Sequence, residues 1–210
     1  MLPLSLLISF GLFGPNGRVI NFDSDALGRI PPGWSVEAAG SGLQPRWEVR
    51  RDLTAPTQPY VLAHLPDVPG TALSPLAIFE RLNLRDGDVS VRVKAVAGRE
   101  DETGGLVWRY RDPGNYYLAL ASALSHKVAV FRVQNGRRIP ICGPVPHDIE
   151  PNAWNILKVA VRGSRFQIYV NHRRVLEARD NTFPGPGKVG LWTMDDAVTY
   201  FDDFRVYPKQ

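Results

Sequence analysis

The sequence lacks the features that mark disulfide-stabilised and nucleic-acid-binding proteins. It contains one cysteine, Cys142, so no disulfide can form within the chain. A small core side chain is the simplest interpretation of that residue, and a nucleophile is the alternative. Basic residues exceed acidic ones by only 25 − 21 = 4. No basic stripe with interleaved aromatic residues is present, as a nucleic-acid groove would require, and we therefore expect no nucleic-acid partner.

The apolar stretch at the N terminus, residues 1–14, is shorter than the roughly 20 residues that a helix needs to span a bilayer. It resembles the apolar region of a secretory signal, although no Lys or Arg precedes it and no Ala-x-Ala site follows it. A misassigned start and a first strand that stays in the fold are the alternatives. We predict a signal segment at residues 1–17, an extracytoplasmic location, and a single domain at 18–210 without a stable membrane span.

Motifs of common catalytic sites are also missing. The chain has no Gly-x-Ser-x-Gly, no His-Glu-x-x-His and no phosphate-binding glycine loop, and its four histidines lack metal-ligand spacing. Acidic residues occur close together at Glu100-Asp-Glu102 and at Asp148 and Glu150, in stretches typical of loops. Solvated loop acids are the simpler interpretation of both groups, and catalytic acids are the alternative.

What the chain does contain is period-two alternation of apolar and polar residues. It is clearest at 89–94, 157–161 and 165–171. Such alternation places one set of side chains in a core and the other towards water or a second layer. Turn sequences such as Asp112-Pro-Gly-Asn115 and Asn135-Gly136 separate roughly a dozen short strands. The pattern predicts an all-β fold, a two-sheet antiparallel β-sandwich, with no long amphipathic helix.

The turn at 112–115 predicts a register for the hairpin that it closes. If its two ends face each other, Arg109 faces Leu118 and Tyr110 faces Tyr117. The face that we expect to lie in the core then carries Trp108, Tyr110 and Tyr117. The opposite face, which we expect to point outwards, carries Arg109, Arg111 and Tyr116. An arginine in the middle of such a face either pairs with an acid or binds a ligand.

Four stretches together resemble a known family. They are Gly104–Tyr117, Trp154–Val159, Gly187–Thr193 and Phe201–Val206. In this order and spacing they are similar to the 3-keto-disaccharide hydrolase-like family of the concanavalin A-like lectin/glucanase superfamily, over about residues 20–207. The resemblance implies a jelly-roll sandwich and a carbohydrate-related role, although a shared fold does not by itself imply a shared activity.

The chain also departs from that family. It differs from the family's pattern at Leu120, Ser122, Ser125, Met194 and Tyr200, and the Glu-x-Asp-x-x-Glu string of many superfamily glucanases is missing. By the predicted register, Leu120 shares a face with Arg109. The differences therefore concentrate on the expected ligand face, which puts the family's activity in doubt for this chain.

The face assignment and the resemblance suggest candidate ligand-binding residues. Aromatic side chains that could stack on a sugar are Tyr116, Trp192 and Tyr200, and side chains that could hydrogen-bond its hydroxyls are Arg109 and Arg132. A core position is the alternative for Trp192.

The resemblance also implies a structural Ca²⁺ site, because superfamily members can bring together acids of the first and last strands. The candidates are Asp23 and Asp203, and oxygen ligands of this kind suit Ca²⁺. The alternative is that these acids cap turns or pair with arginines.

Two functions follow as hypotheses. The first is a carbohydrate-interacting β-sandwich that could hydrolyse a 3-keto-glycoside, with a carbohydrate or modified sugar as its partner. The alternative is a non-catalytic glycan-binding or envelope interaction domain. The sequence assigns neither catalytic residues nor an oligomeric state.

Overall fold

The computed structural model describes residues 17–38, 44–66, 74–99, 102–194 and 196–209. Across these ranges the chain forms fifteen β-strands and no helix, so the predicted all-β fold is confirmed. No helix in the described residues is long and apolar enough to cross a membrane. Residues 1–16, where the signal segment was predicted, lie outside the described ranges.

The strands follow one another along the chain with short connections. Their bounds are β1 Arg18–Ile20, β2 Trp34–Ala38, β3 Trp47–Arg51, β4 Tyr60–His64, β5 Pro75–Leu84, β6 Gly87–Ala97, β7 Thr103–Asp112, β8 Asn115–Ser122, β9 Lys127–Gln134, β10 Arg137–Pro146, β11 Asn155–Arg162, β12 Arg165–Val170, β13 Arg173–Arg179, β14 Gly187–Thr193 and β15 Val198–Pro208. The predicted turns at 112–115 and 135–136 join β7 to β8 and β9 to β10.

The strands pair antiparallel in two sheets. Sheet A has the order β13-β12-β11-β6-β15-β4-β3, with β1 also paired to β15, and sheet B has the order β10-β9-β8-β7-β14-β5-β2. Each sheet contributes one apolar face to a common core, as expected for a sandwich. The two-sheet antiparallel jelly-roll architecture is therefore confirmed.

The period-two segments supply that core. Val89, Val91 and Val93 of β6 are buried, and so are the alternating apolar residues of β11 and β12. Large rings fill the space between the sheets: Trp108 stacks on Tyr117 with centroids 5.5 Å apart, and their contacts continue across to sheet A. Aromatic pairs at this separation add to the stabilisation from burial alone.

Strand β15 breaks the alternation at Phe201-Asp-Asp-Phe204. Both phenylalanines are buried in the core, although they are three positions apart and strict alternation would put Phe204 on the opposite face. The register with β6 shifts between Asp202 and Arg205, and Asp203 has a positive φ of 51°. This β-bulge inserts one residue and thereby returns Phe204 to the core.

A second irregularity changes the predicted β7–β8 register. Asp112 faces Asn115 as predicted, but Trp108 faces Tyr117, so the predicted pairing of Tyr110 with Tyr117 and of Arg109 with Leu118 is wrong. The cause is a bulge between Trp108 and Asp112, where Arg109 has a φ of 50°. The core positions of Trp108 and Tyr117 are confirmed, whereas Tyr110 packs 5.9 Å from Tyr116 on the other face of sheet B.

The bulge buries the Arg109 side chain, which is 1% exposed. Its guanidinium donates to the backbone carbonyls of Phe183 at 2.8 Å, Gly163 at 2.7 Å and Arg85 at 3.0 Å. Gly187 permits this arrangement, because a Cβ there would lie 2.5 Å from the carbonyl carbon of Arg109. One side chain thus connects three loops at one end of the sandwich.

We predict that Arg109→Lys destabilises the fold by at least about 1–3 kcal/mol. A single ammonium cannot reach all three carbonyls, and each buried carbonyl left without a donor costs about 1–3 kcal/mol. Urea denaturation followed by tryptophan fluorescence measures this loss. Arg137→Lys, at an exposed strand end, is the matched control and should change stability by less than about 0.5 kcal/mol. Equal stabilities for the two variants would contradict the assigned role of Arg109.

Candidate carbohydrate-binding face

The outer faces of the two sheets differ in character. The outer face of sheet B carries a second apolar cluster whose buried members are Leu76, Ile78, Val107, Tyr110, Tyr116, Leu118, Val133 and Trp192. The outer face of β6, β11 and β15 in sheet A, which we call the polar face, is instead charged and accessible. The side chains of Arg92 and Arg205 there are each 37% exposed, so the polar face offers hydrogen-bonding groups to a ligand.

The five predicted ligand-binding residues do not meet in one place. Tyr116 and Trp192 lie together in the buried cluster of sheet B. Trp192 therefore has a buried packing role, which was the alternative to ligand binding. Arg109 is buried beneath three loops. Arg132 pairs with Asp180 at 2.7 Å. Tyr200 alone lies on the polar face, opposite Lys94 of β6.

Tyr200 belongs to a group that we call the aromatic cluster, formed with Lys94 and Trp154. The Lys94 ammonium lies 5.2 Å from the Trp154 ring centroid and 5.4 Å from that of Tyr200, within the range of cation–π attraction. Both rings are half-buried, whereas Lys94 is 7% exposed. The cluster therefore presents two partly accessible aromatic rings fixed around one buried cation.

The loop between β3 and β4 holds this cation in place. Lys94 donates to the carboxylate of Asp52 and, at 2.8 Å, to Thr54 Oγ1, which also accepts a 3.3 Å hydrogen bond from Trp154 Nε1. Burial opposes ionisation of Asp52, but hydrogen bonds from Lys94 and Thr54 outweigh it and lower the pKa of that carboxyl. The charges of Lys94 and Asp52 thus offset each other, and the hydrogen bond to Thr54 fixes the position of the Trp154 indole.

The same loop covers Asp202, which is 0% exposed. Its carboxylate accepts hydrogen bonds from the Thr57 amide at 2.8 Å, the Thr57 hydroxyl at 2.9 Å and the Asp203 amide at 2.6 Å. Burial raises the pKa of Asp202 to about 6, against the opposing effect of these donors. Asp202 therefore connects the loop to the sheet and titrates between pH 5 and 7.

Beside the aromatic cluster lies a groove of about 150 Å³, which we call the arginine groove. It is lined by Ser90, Val91, Arg92, Ile156, Lys158, His172, Asp203 and Arg205. Its centre is Asp203, whose side chain is only 6% exposed and accepts from Arg92 Nε at 3.2 Å and from an Arg205 terminal nitrogen at 3.0 Å. The bulge in β15 thus holds a carboxylate that orients two guanidinium groups.

Asp23 and Asp203 are occupied by contacts within the protein, as expected if they do not bind Ca²⁺. Asp23 accepts a 3.1 Å hydrogen bond from the amide of Tyr60, and Asp203 pairs with two arginines. Within the described residues, no group of three or more His, Cys, Asp or Glu side chains could hold a metal ion. Two guanidinium charges on Asp203 oppose the approach of a cation.

Among the other candidates, Asp148 and Cys142 match their simpler interpretations. Glu100 and Asp101 lie outside the described residues. Asp148 is 96% exposed, with its carboxylate 3.3 Å from His126 Nδ1, as expected of a solvated loop acid. Cys142 is half-buried and packs against the core, as its simpler interpretation predicts.

Sequence reasoning missed most of the polar face. Lys94 and Arg92 occupy the polar positions of the β6 alternation, two residues apart, so they share a face. This signal was present in the sequence. The contacts with Trp154 and Arg205 depend instead on strand order, because β11 and β15 flank β6 only in the folded sheet.

Comparison of the sequence with known proteins gives a partial match and no family. No family model matches the chain, so the 3-keto-disaccharide hydrolase-like family is not confirmed. The levanase of Bacillus subtilis (strain 168) is 32% identical over 98 residues, a match that covers 46% of this chain and only 14% of the levanase.

Solved structures with the same fold include a carbohydrate-binding module, CBM66, from Bacillus subtilis. Its TM-score is 0.63 at 23% identity, over 82% of this chain and 94% of that module. A Bacteroides ovatus GH16 protein in complex with a G4G4G3G product has a TM-score of 0.60 at 8% identity, over 82% of this chain and 94% of that one. The VIP36 exoplasmic/lumenal domain in its Ca²⁺/mannose-bound form has a TM-score of 0.59 at 9% identity, over 92% and 90%. These likenesses establish the concanavalin A-like sandwich.

We predict that Asp202 makes the folded state less stable as the pH rises, the opposite of the usual effect of a carboxyl group. Because its pKa is raised on folding, from 3.8 to about 6, the folded state keeps a proton that the unfolded chain has lost. The resulting stabilisation is full below about pH 4 and disappears as the pH rises through about 6. A shift of this size corresponds to about 3 kcal/mol at full extent.

Chemical denaturation of wild type and Asp202→Asn at pH 4.5 and pH 7 tests this prediction. The wild type should exceed the variant in stability by a larger margin at pH 4.5 than at pH 7, because the amide does not titrate. Asp148→Asn removes an exposed carboxyl and should show no such change. A margin for Asp202→Asn that stays constant or grows with pH would refute the assignment.

Proposed function

We propose that this chain is a non-catalytic carbohydrate-binding domain that binds its saccharide on the polar face of sheet A. The observation that carries the proposal is the aromatic cluster. Trp154 and Tyr200 are half-buried and fixed around the Lys94 ammonium, beside a groove that contains two partly exposed arginines. This combination of aromatic surface and placed polar groups is typical of small-molecule sites.

The chemistry of a sugar matches this arrangement. A sugar ring has apolar C–H faces, which can pack on an aromatic ring, and hydroxyl edges, which need hydrogen-bond partners. Trp154 and Tyr200 offer the first kind of surface. Arg92 and Arg205 offer charged donors, whose hydrogen bonds are stronger than those between neutral groups.

The distribution of carboxyl groups supports binding without hydrolysis. Glycosidases usually place two carboxyl groups on either side of the scissile bond. Among the residues that line the arginine groove, Asp203 is the single acid, and it already pairs with two arginines. Asp202 lies buried under Thr57. Hydrolysis of a 3-keto-glycoside, which the family resemblance implied, therefore has no support from this face.

The comparisons agree with a carbohydrate role. Because of the levanase match and the fold shared with CBM66, levan belongs in the panel of saccharides to be tested for binding. Other neutral and acidic polysaccharides complete that panel. A saccharide-binding role also accords with the extracytoplasmic location proposed from the N-terminal residues. We do not include Ca²⁺ in the proposed site, because arginines occupy the carboxylate of Asp203.

We predict that Trp154→Ala and Tyr200→Ala each weaken saccharide binding at least tenfold. Each substitution removes a ring that packs on the ligand, a loss of about 1.4 kcal/mol or more. Isothermal titration calorimetry with the saccharide that binds best in the panel measures the effect. Phe131→Ala, which removes a half-buried ring from the outer face of sheet B, is the matched control. Binding that survives both substitutions but is lost in Phe131→Ala would move the site to sheet B.

We predict no sugar release from 3-keto-glucosides or from plain oligosaccharides, with or without divalent metal. Chromatography of long incubations at high protein concentration detects any product. Release that rises in proportion to protein concentration and disappears in Asp202→Asn or Asp203→Asn would contradict a non-catalytic role. It would revive the hydrolase hypothesis.

A further inference from the structure

The arginine groove and its surroundings carry an excess of positive charge. Four cationic side chains of the polar face share two carboxylates: Arg92 and Arg205 bind Asp203, and Lys158 and Arg162 bind Asp88. Each carboxylate therefore leaves one positive charge without a partner. The side chain of Lys158, like those of both groove arginines, is more than a third exposed.

Neighbouring acids do not remove this excess. Asp52 is already paired with Lys94 in the aromatic cluster. Asp202 binds Thr57 and the Asp203 amide, and it is absent from the residues that line the groove. The one other residue of the lining that could carry charge is His172, which could only add to the positive side.

The two groove arginines also keep hydrogen-bond donors available. Arg92 uses its Nε on Asp203, and Arg205 uses one terminal nitrogen. No other hydrogen bond from either guanidinium is formed with the part of the chain that the structure describes. A guanidinium fork matches the two oxygens of a carboxylate better than it matches isolated hydroxyls.

The rim of the groove is held in position before any ligand binds. The β12–β13 turn, Asn171–His172, has positive φ at both residues, 47° and 68°. Asn171 donates its amide to the Ile156 carbonyl at 2.9 Å, and its side-chain oxygen accepts from the Ile156 amide at 2.8 Å. A ligand therefore loses little affinity to ordering of this rim.

We propose that the arginine groove is a subsite for a carboxylate carried by the saccharide, as in a uronic acid residue. The inference rests on the proposed carbohydrate-binding function and names the class of sugar. Arg92 and Lys94 lie two residues apart on β6, about 7 Å along the strand. A single saccharide chain can therefore place its carboxylate between the arginines while a neighbouring ring contacts the aromatic cluster.

The test compares acidic oligosaccharides with their carboxyl-reduced counterparts. Galacturonate, mannuronate and glucuronate oligomers are titrated by calorimetry against the full chain, each beside the same oligomer with its carboxylates reduced to alcohols. We expect at least one acidic oligomer to bind at least tenfold more tightly than its neutral counterpart. The preference should shrink as salt is raised, since exposed charges are screened.

Substitutions then locate the preference. Arg92→Gln and Arg205→Gln should each remove most of it, and Arg92→Lys should retain part, because it keeps the charge and loses the fork. Arg179→Gln removes an arginine that is 69% exposed at the far edge of sheet A and should leave the preference intact. Thermal unfolding of each variant checks that it is folded.

The outcomes separate this inference from the proposed function. If neutral saccharides such as levan bind as well as acidic ones, and binding depends on Trp154 but not on Arg92, the carboxylate subsite is refuted and the carbohydrate-binding function stands. If sulfated oligosaccharides, titrated in the same way, bind and none of the carboxylated ones does, the subsite is likewise refuted. If no saccharide in either set binds, both proposals fail.

Discussion

The β-bulge at Asp203 is the constraint on which the polar face depends. One extra residue in β15 keeps Phe201 and Phe204 both in the core, at three-residue spacing, and leaves Asp202 and Asp203 between them. Asp202 then binds the β3–β4 loop, and Asp203 binds Arg92 and Arg205. A regular strand would expose Phe204 and separate these contacts, so core packing and the proposed site share one local distortion.

The outer faces of the two sheets differ in chemistry, and the proposed ligand site lies on that of sheet A. Sheet B continues the apolar character of the core to its outer side, where Trp192, Tyr116 and their neighbours are buried. Sheet A instead carries cations along β6, aromatic rings just before β11 and in β15, and carboxylates that neutralise only part of the charge. The likeness to other concanavalin A-like sandwiches explains the architecture, whereas the ligand depends on these particular side chains.

Much of the fold was predictable from the sequence, because alternation and turn chemistry are local. The alternation of Val89, Val91 and Val93 predicted a buried face that the structure contains. The prediction of a turn at 112–115 was also correct, but the strand register derived from it was wrong from Arg109 onwards, where the bulge lies. The bulge at Arg109 requires the close approach of Gly187, which is distant in the sequence. No residue near Arg109 in the sequence indicates this bulge.

The site was less predictable for the same reason. Tyr200 was identified, but Lys94 and Trp154 come together with it only through strand order and through contacts with the β3–β4 loop, and Arg92 meets Arg205 only because β6 pairs with β15. Arg109 and Arg132 have the residue type expected of a sugar site, but backbone carbonyls and Asp180 already occupy them. The type of a residue indicates what it can bind, and its neighbours in the fold determine whether it is available.

The most direct test of the central claim is a nuclear magnetic resonance titration of the isotopically labelled chain with saccharides from the acidic and neutral panels. If the polar face is the binding site, the perturbed amides will concentrate in β6, β11 and β15 and in the loop at 52–59, with the Trp154 indole among them. Perturbations centred instead on Tyr116 and Trp192 of sheet B, or no saturable change with any saccharide, would contradict the account.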